Sequence, residues 1–378
     1  MFAMLKHVIR RLLQAIPTFF GVTILSYILF SLTPGGPVEI LAFNNRLKPR
    51  EREELKYILG ANDPLPVQYL RWLLGDDWMR WDSDDDGEAD SAVFFIDLYA
   101  PELGDKGKPL VDEASGEAKL RALPPGSQRG ILRGDFGNSF YYKRPALDVL
   151  SERLPATIEL GLTALLVGVT LGVSIGIIAA ANHRGAFDQA SRIGAVIVNS
   201  VPDFGLGIFM ILIFGVQLGI LPLAGRCKTT IDDSCPPLPE RLNYLIMPTI
   251  VLAAGPVAGY SRFMRASMLD VVSQDYIRSA RSKGLQERNI WLRHGMRNAL
   301  IPVATFLGPS ITFLLSGAAV IETVFAWPGV GRLVVQAPGR RDFPIVMLVV
   351  VYASIANIVG YLLSDLLYAL IDPRIRYD

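Results

Sequence analysis

The sequence predicts an all-α polytopic membrane protein with six transmembrane helices and an external mixed insertion domain. Three observations predict it. Of the 378 residues, 51% are hydrophobic and only 19% charged, against roughly a quarter charged in soluble domains. The apolar residues fall into long runs almost free of charge. Between the first two runs the composition turns abruptly to acidic clusters, prolines and tryptophans.

A bilayer core about 30 Å thick takes roughly 20 apolar residues in helix. Six runs meet that length: Leu12–Thr33, Leu160–Ala181, Ile193–Leu221, Leu242–Ser261, Leu300–Ile321 and Pro344–Ser364. Five carry no charge, and the third carries only Asp203. The first run follows Lys6, Arg10 and Arg11, as a secretory signal would. It is longer than a signal's apolar region and no small-residue cleavage site follows, so it is expected to be a retained span. Gly168, Gly172 and Gly176 place one small face along the second helix, and Ala253, Ala254, Gly255, Ala258 and Gly259 do so along the fourth. Such faces let helices approach closely in lipid, within one subunit or between two.

Positive charge orients the spans. With the N-terminus inside, the cytoplasmic pieces are 1–11, 182–192, 262–299 and 365–378. The third carries Arg262, Arg265, Arg278, Arg281, Lys283, Arg288, Arg293 and Arg297 against Asp270, Asp275 and Glu287. Arg46, Lys48, Arg50, Arg52 and Lys56 fall on the other side, in a long segment of the kind that largely escapes the rule. This topology puts Cys227 and Cys235 outside, where they can form a disulfide or stand as two thiols. A net charge of +1 gives no reason to expect nucleic acid, and three histidines with two cysteines are too scattered for zinc.

The chain therefore divides into 1–33, an N-terminal tail and first span; 34–155, an external domain; and 156–378, the remaining spans. The external segment leaves the membrane through Thr33-Pro34-Gly35-Gly36-Pro37. Helix is expected around Pro49–Leu59 and again over the apolar-periodic Val67–Leu74. Asp82, Asp84 and Asp86 stand at the first, third and fifth positions of a calcium-type loop, with Gly87 sixth and Asp90 ninth. The twelfth position is Val93, where a bidentate glutamate belongs, and a solvated acidic loop is the competing reading.

Asp275–Val303 reads DYIRSARSKGLQERNIWLRHGMRNALIPV. Gly284 is placed to cap one short helix, and a second amphipathic helix begins near Gln286. The pair makes a knob that fits a groove on a partner protein or, equally on periodicity, lies on anionic lipid.

This segment resembles the cytoplasmic coupling loop of ABC importer permeases in the dipeptide, oligopeptide and nickel class. Arg278, Ser279 and Ala280 stand where the general importer consensus has Glu-Ala-Ala, and Gly284 matches its glycine. Other stretches resemble the first, B-type permease of such systems: LKHVIRRLLQAIPTFFGVTILSYILFSLTPGGPV, LGANDPLPVQYLRWL, GDFGNSF, ERLPATIELGLTALL, IETVFAWPGVGRLVVQA and the ending DPRIRYD. In that family the stretch resembling QYLRWL runs almost directly into the one resembling GDFGNSF. Here Gly75–Arg129 intervenes.

The resemblance implies a multi-pass subunit of the bacterial inner membrane, both termini cytoplasmic, with a five-helix importer core after the first span. It implies a second homologous permease, two cytoplasmic ATPase subunits holding ATP and Mg, an external substrate-binding protein and surrounding lipid. Tyr276, Arg278, Ala280, Arg281, Lys283, Gly284, Leu285, Arg293, His294, Arg297 and Asn298 would meet an ATPase. Asp203 is a candidate for the translocation pathway, as the meeting point for a peptide ammonium, or is a structural partner for a neighbouring helix. No phosphate-binding loop is found; Gly104-Asp105-Lys106-Gly107-Lys108 has the wrong spacing. No cofactor is expected on the chain itself; calcium at the acidic loop is the one candidate, beside the solvated-loop reading. Two other readings compete: a secondary transporter, which wants repeats and more intramembrane charge, and an anchored receptor whose external domain does the work.

Overall fold

The computed structural model describes residues 2–32, 48–84, 86–93, 96–112, 115–228, 235–304, 306–307, 309–310 and 318–371. The PGGP exit, part of the fifth run (311–317) and the DPRIRYD ending lie outside them. The chain forms two compact units: Met1–Ile16, Ser151–Gln336 and Tyr352–Asp378 in the first, Pro17–Leu150 and Ala337–Val351 in the second.

The long helices are α1 (Phe2–Ser31), α4 (Ala146–Ala181), α7 (Leu242–Val272) and α11 (Phe343–Ile371), with α2 (Pro49–Ile58) and α3 (Leu65–Leu74) between the first two. Among the described residues four helices are long and apolar enough to cross a membrane, and a bent pair brings the number to as many as five. That pair occupies the third apolar run, expected as one span: α5 (Ala186–Ser200) and α6 (Asp203–Met210) meet at 97°. The cause is local. Pro202 fixes φ at −60° and has no N–H, and Val201 before it is held extended at φ −90°, ψ 126°. Beyond α6 the backbone runs on as a π-helical stretch, Ile211–Gln217.

Two helices overrun their apolar runs. Helix α4 starts at Ala146, well before Leu160, with Pro155 inside it. Helix α7 continues past Ser261 to Val272, carrying the polar Arg262 and Arg265 on the same rod. In the first unit the glycine face of α4 packs on α7. A Cβ at Gly168 would stand 2.8 Å from Pro256 Cβ, one at Gly172 2.6 Å from Tyr260 Cβ, and one at Gly176 2.6 Å from Met264 Cβ. The close face is thus used inside the subunit. On α7, Ala253 and Ala258 are buried, whereas among the described residues a Cβ on Gly255 or Gly259 would meet nothing within 4 Å.

The second unit gathers Tyr27, Tyr69, Trp72 and Phe343 in edge-to-face and tilted contacts. Asp342, fully buried, accepts hydrogen bonds from the Ser139 hydroxyl and from the Phe140 and Tyr141 N–H groups at 3.0 and 3.2 Å. Residues 75–129 add two small antiparallel pairs, β1 (Arg80–Trp81) with β2 (Ser91–Ala92), and β3 (Tyr99–Pro101) with β4 (Leu120–Ala122). Gly104–Lys108 closes a turn inside the second pair, Gly104 N–H donating to Lys108 C=O at 2.9 Å. Beneath them Arg71 and Arg80 are buried beside Asp63 and Asp76. Burial pushes the Asp63 carboxyl up and the Arg80 guanidinium down, the usual penalty on a charge withdrawn from water.

Candidate functional site

The segment at the far end of α7 is built as two short helices about one glycine. Helix α8 (Asp275–Ser282) stops where Gly284 takes φ +74°. Gly284 N–H donates to Arg281 C=O at 2.9 Å and Leu285 N–H to Ala280 C=O at 3.4 Å. Those two bonds make a Schellman cap, which needs a left-handed residue at this position. Gln286, extended, then starts a short α turn, Glu287–Asn289, followed by a π-helical stretch, Ile290–Gly295, and by α9 (Met296–Ala304).

Its inner face is apolar. Ile277, Ala280 and Ile290 are buried together against Val271 and Val272 at the end of α7, so the pair rides on that rod. Met268, Ala299 and Val303 continue the packing along α9. The outer face is polar with apolar points: Tyr276, Leu285 and Leu292 are each about two-fifths exposed. Arg278, Arg281, Lys283, Arg293 and Arg297 are exposed around them. Cross-ties hold the bend. Arg281 Nε donates to Glu287 Oε1 at 2.9 Å, Trp291 Nε1 to Glu287 Oε2 at 3.1 Å, and Asn298 Nδ2 to the Tyr276 hydroxyl at 2.8 Å. The Arg281 guanidinium holds the Glu287 carboxyl below the usual carboxylate range. The eleven residues expected at this site therefore divide: Ala280 supports it from inside, His294 is half-buried, and the other nine stand on the outer face.

The remaining expected residues lie elsewhere. Asp203 is exposed in the first turn of α6, just past the 97° bend, where a carboxylate complements the helix N-terminus. Cys227 and Cys235 are joined as a disulfide with Cα atoms 5.7 Å apart. The Asp82, Asp84 and Asp86 carboxylates gather within 4.8 Å in the β1–β2 connection. Asp82 accepts from the Asp84 and Gly87 N–H groups at 3.1 and 2.7 Å. The hydrogen bond with Asp82, then the charge of Asp86, push the Asp84 carboxyl up. Three clustered carboxylates are the oxygen donors a hard cation takes. Asp90 is turned to Ser83, accepting from its hydroxyl at 3.0 Å.

Two pairs that sequence reasoning missed fix the spans at either end. Asp188, fully buried at the start of α5, accepts from Arg265 Nε at 2.5 Å and Nη2 at 2.8 Å. Glu322, fully buried in α10 (Ala319–Val324), accepts from the Thr157 hydroxyl at 3.0 Å and from Arg332 N–H at 2.8 Å. Thr157 in turn accepts from Val330 N–H at 2.7 Å. The one signal for the second was the Pro-Gly-Val-Gly run at 328–331: a Cβ on Gly331 would press on Glu322 at 3.0 Å.

Sequence comparison decides what this arrangement belongs to. Residues 172–377 match the family of binding-protein-dependent transport system inner membrane components, and residues 4–85 match the N-terminal domain of such membrane components. The chain belongs to this family. It is a permease, a multi-pass inner-membrane component that works with ATPase and other membrane subunits and is not itself an enzyme. The permease is 31% identical to the oligopeptide transport system permease protein AppB of Bacillus subtilis, over 99% of this chain and 100% of that one. It is 31% identical to the dipeptide transport system permease protein DppB of Escherichia coli K12, over 99% of each. It is 33% identical to the glutathione transport system permease protein GsiC of Shigella flexneri, over 99% of this chain and 100% of that one. Among solved structures, the MetNI methionine ABC transporter in an inward-facing conformation aligns over 59% of this chain and 96% of that one. The TM-score is 0.48 at 16% identity.

Proposed function

We propose that this permease forms half of the translocation pathway for di- or oligopeptides, or a related small solute, and that residues 275–299 couple it to an ATPase subunit. The observation that carries the coupling reading is the Gly284-capped helix pair seated on the end of α7. A knob rigidly attached to a spanning rod moves that rod when a groove on a partner holds it. ATP-driven closure of two ATPase subunits then biases the spans between two arrangements, as alternating access requires. The apolar points Tyr276, Leu285 and Leu292 suit such a groove, and the ring of arginines suits an acidic rim.

The remaining assignments follow in the same reading. The fifth run, 300–321, is a span as well, bringing the number to six, and both termini and the loop 262–299 are cytoplasmic. A second homologous permease completes the pathway and a substrate-binding protein delivers cargo from outside. There the Cys227–Cys235 disulfide meets an oxidising compartment. Peptide cargo is supported by the relatives' names, oligopeptide, dipeptide and glutathione permeases. Asp203 faces the pathway and meets a passing ammonium; uptake by Asp203→Asn at an unchanged rate with intact assembly removes that role. Calcium binds at Asp82, Asp84 and Asp86 with the weakness of extracellular sites, in the millimolar range. A calcium-dependent rise in Tm that disappears in the Asp82→Ala, Asp84→Ala double variant supports it, and no rise in the parent ends it.

The decisive experiment co-expresses the chain with its partner subunits. Two ATPase subunits and a second permease should copurify and hydrolyse ATP, and Gly284→Trp should abolish uptake while the chain remains in the membrane. Normal uptake with Gly284→Trp refutes the coupling assignment.

A further inference from the structure

The connection between α4 and α5, at the end of the spans that also carries residues 262–299, holds a second feature. Arg184, Gln189, Arg192, Ile193, Val196 and Ile197 line an open groove of about 520 Å³. Its upper edge is cationic. Its floor is apolar, with Ile193, Val196 and Ile197 each 58–60% exposed. From Gln189 to Ile197 the helix rises about 12 Å, so the lining passes from charge to hydrocarbon over little more than two turns.

The charges around the groove are one-sided. His183, Arg184, Asp188 and Arg192 are the titratable groups of 182–192, and Asp188 is the single carboxylate. It is fully buried and taken by Arg265 from α7, with His183 Nδ1 3.6 Å from its other oxygen. Among the described residues neither the Arg184 nor the Arg192 side chain has an ion-pair partner, and both are exposed. Asp188 also shapes the edge. Its Oδ2 accepts from Arg184 N–H at 2.9 Å, and Arg184 sits at φ +64°, a left-handed conformation unfavourable for a non-glycine residue.

We infer that this groove binds the headgroup of an anionic phospholipid, the phosphate between Arg184 and Arg192 and the upper acyl chain along Ile193, Val196 and Ile197. A water-soluble partner would cover the arginines but not side chains that continue into the third apolar run. A lipid with a charged head and an apolar tail matches both ends, and juxtamembrane arginines are each worth about a fivefold gain in affinity for an anionic surface. The inference rests on family membership and on this loop, and is independent of the coupling assignment above.

The test is a lipid titration on the purified transporter in detergent, followed by native mass spectrometry, with phosphatidylglycerol and phosphatidylcholine as probes. The wild type should retain phosphatidylglycerol preferentially. The Arg184→Gly, Arg192→Ala double variant, whose glycine accepts the positive φ, should bind it on the order of thirtyfold more weakly, while phosphatidylcholine binding stays unchanged. Arg184→Lys with Arg192→Lys should keep most of the preference. Equal retention of the two lipids by the wild type overturns the inference. So does undiminished phosphatidylglycerol binding in the double variant. Loss of an ATPase or permease subunit from the double variant also overturns it, since the arginines would then be a protein contact. No step in the measurement needs ATP or cargo, so the result stands apart from any outcome with Gly284→Trp.

Discussion

The contact between α4 and α7 and the helix pair at 275–299 are built in opposite ways. The first is a shaft: three glycines at four-residue spacing bring two backbones together, with no room for even a methyl group at Gly172 or Gly176. The second is a fitting. Three small-to-medium apolar side chains hold it to the rod, hydrogen bonds set its bend, and among the described residues nothing lies within 4 Å of a Cβ on the hinge glycine. Damage to the shaft should therefore destroy the subunit, and damage to the fitting should spare the subunit and disconnect it. Substitutions at the two places can break that distinction.

The largest effect is expected at the shaft. Gly172→Leu would drive a side chain into Tyr260 Cβ and Val257 C=O, which a Cβ alone already meets at 2.6 and 3.0 Å. Overpacking at a backbone-to-backbone contact cannot relax by rotamer change, so the cost is about 3 kcal/mol or more. Detergent-extracted protein should elute as aggregate or vanish from the membrane. A monodisperse, fully assembled Gly172→Leu would show that α4 and α7 are not held this closely.

Next comes the seat of the fitting. Ile290 is fully buried with Ile277 and Ala280, and Ile290→Ala leaves a cavity costing roughly 2–4 kcal/mol. The loss is expected to be local, because the cluster has three buried residues and meets the packing of α4 on α7 at its edge, through Val271 and Val272. Limited proteolysis should cut within 275–299 many times faster, and cargo uptake should fall steeply, with thermal stability of the spanning part nearly unchanged. A matching drop in global Tm would mean that shaft and fitting unfold as one.

How much of this was legible in the sequence follows from the range of each interaction. Gly284 and Gln286 were readable because a cap is decided within six residues, and Gly168, Gly172 and Gly176 because a helical face repeats every four. The helices expected at Pro49–Leu59 and Val67–Leu74 form at Pro49–Ile58 and Leu65–Leu74, the second marked in the sequence by its apolar periodicity. The bend at Val201–Pro202 had its proline in view, yet the run around it was apolar enough to pass for one straight span. The pairs Asp188–Arg265 and Thr157–Glu322 lie 77 and 165 residues apart, and no local pattern marks one arginine among the eight basic residues of 262–299 as a buried partner. The small strands of 75–129 hold only two or three residues each, too few for alternation to show.

A finer division separates strain from contact at the hinge. Gly284→Ala keeps the surface open and adds only the left-handed penalty, roughly 1 kcal/mol, so uptake should fall modestly with ATPase subunits still bound. Gly284→Trp adds the same penalty and a large side chain, at a position where an added Cβ meets no described residue within 4 Å. If uptake is lost in the tryptophan variant alone, a partner fills that space. Equal loss in both would place the effect in the bend of the backbone.

The smallest effect concerns the tie across the bend. The Glu287 carboxyl sits below its ordinary range because Arg281 donates to it, with Trp291 adding a bond. A folded-state value below the unfolded one stabilises the bend fully above the unfolded value, and that contribution disappears as pH falls through the folded value. Both groups are exposed, so screening keeps the effect small. Trp291 reports it directly: the difference in fluorescence between the parent and Trp291→Phe should be flat from pH 7 to 5 and change only below the usual glutamate range. In Glu287→Gln that acid transition should be absent, whereas its persistence would assign the tie to the packing of Ile277 and Ile290 alone.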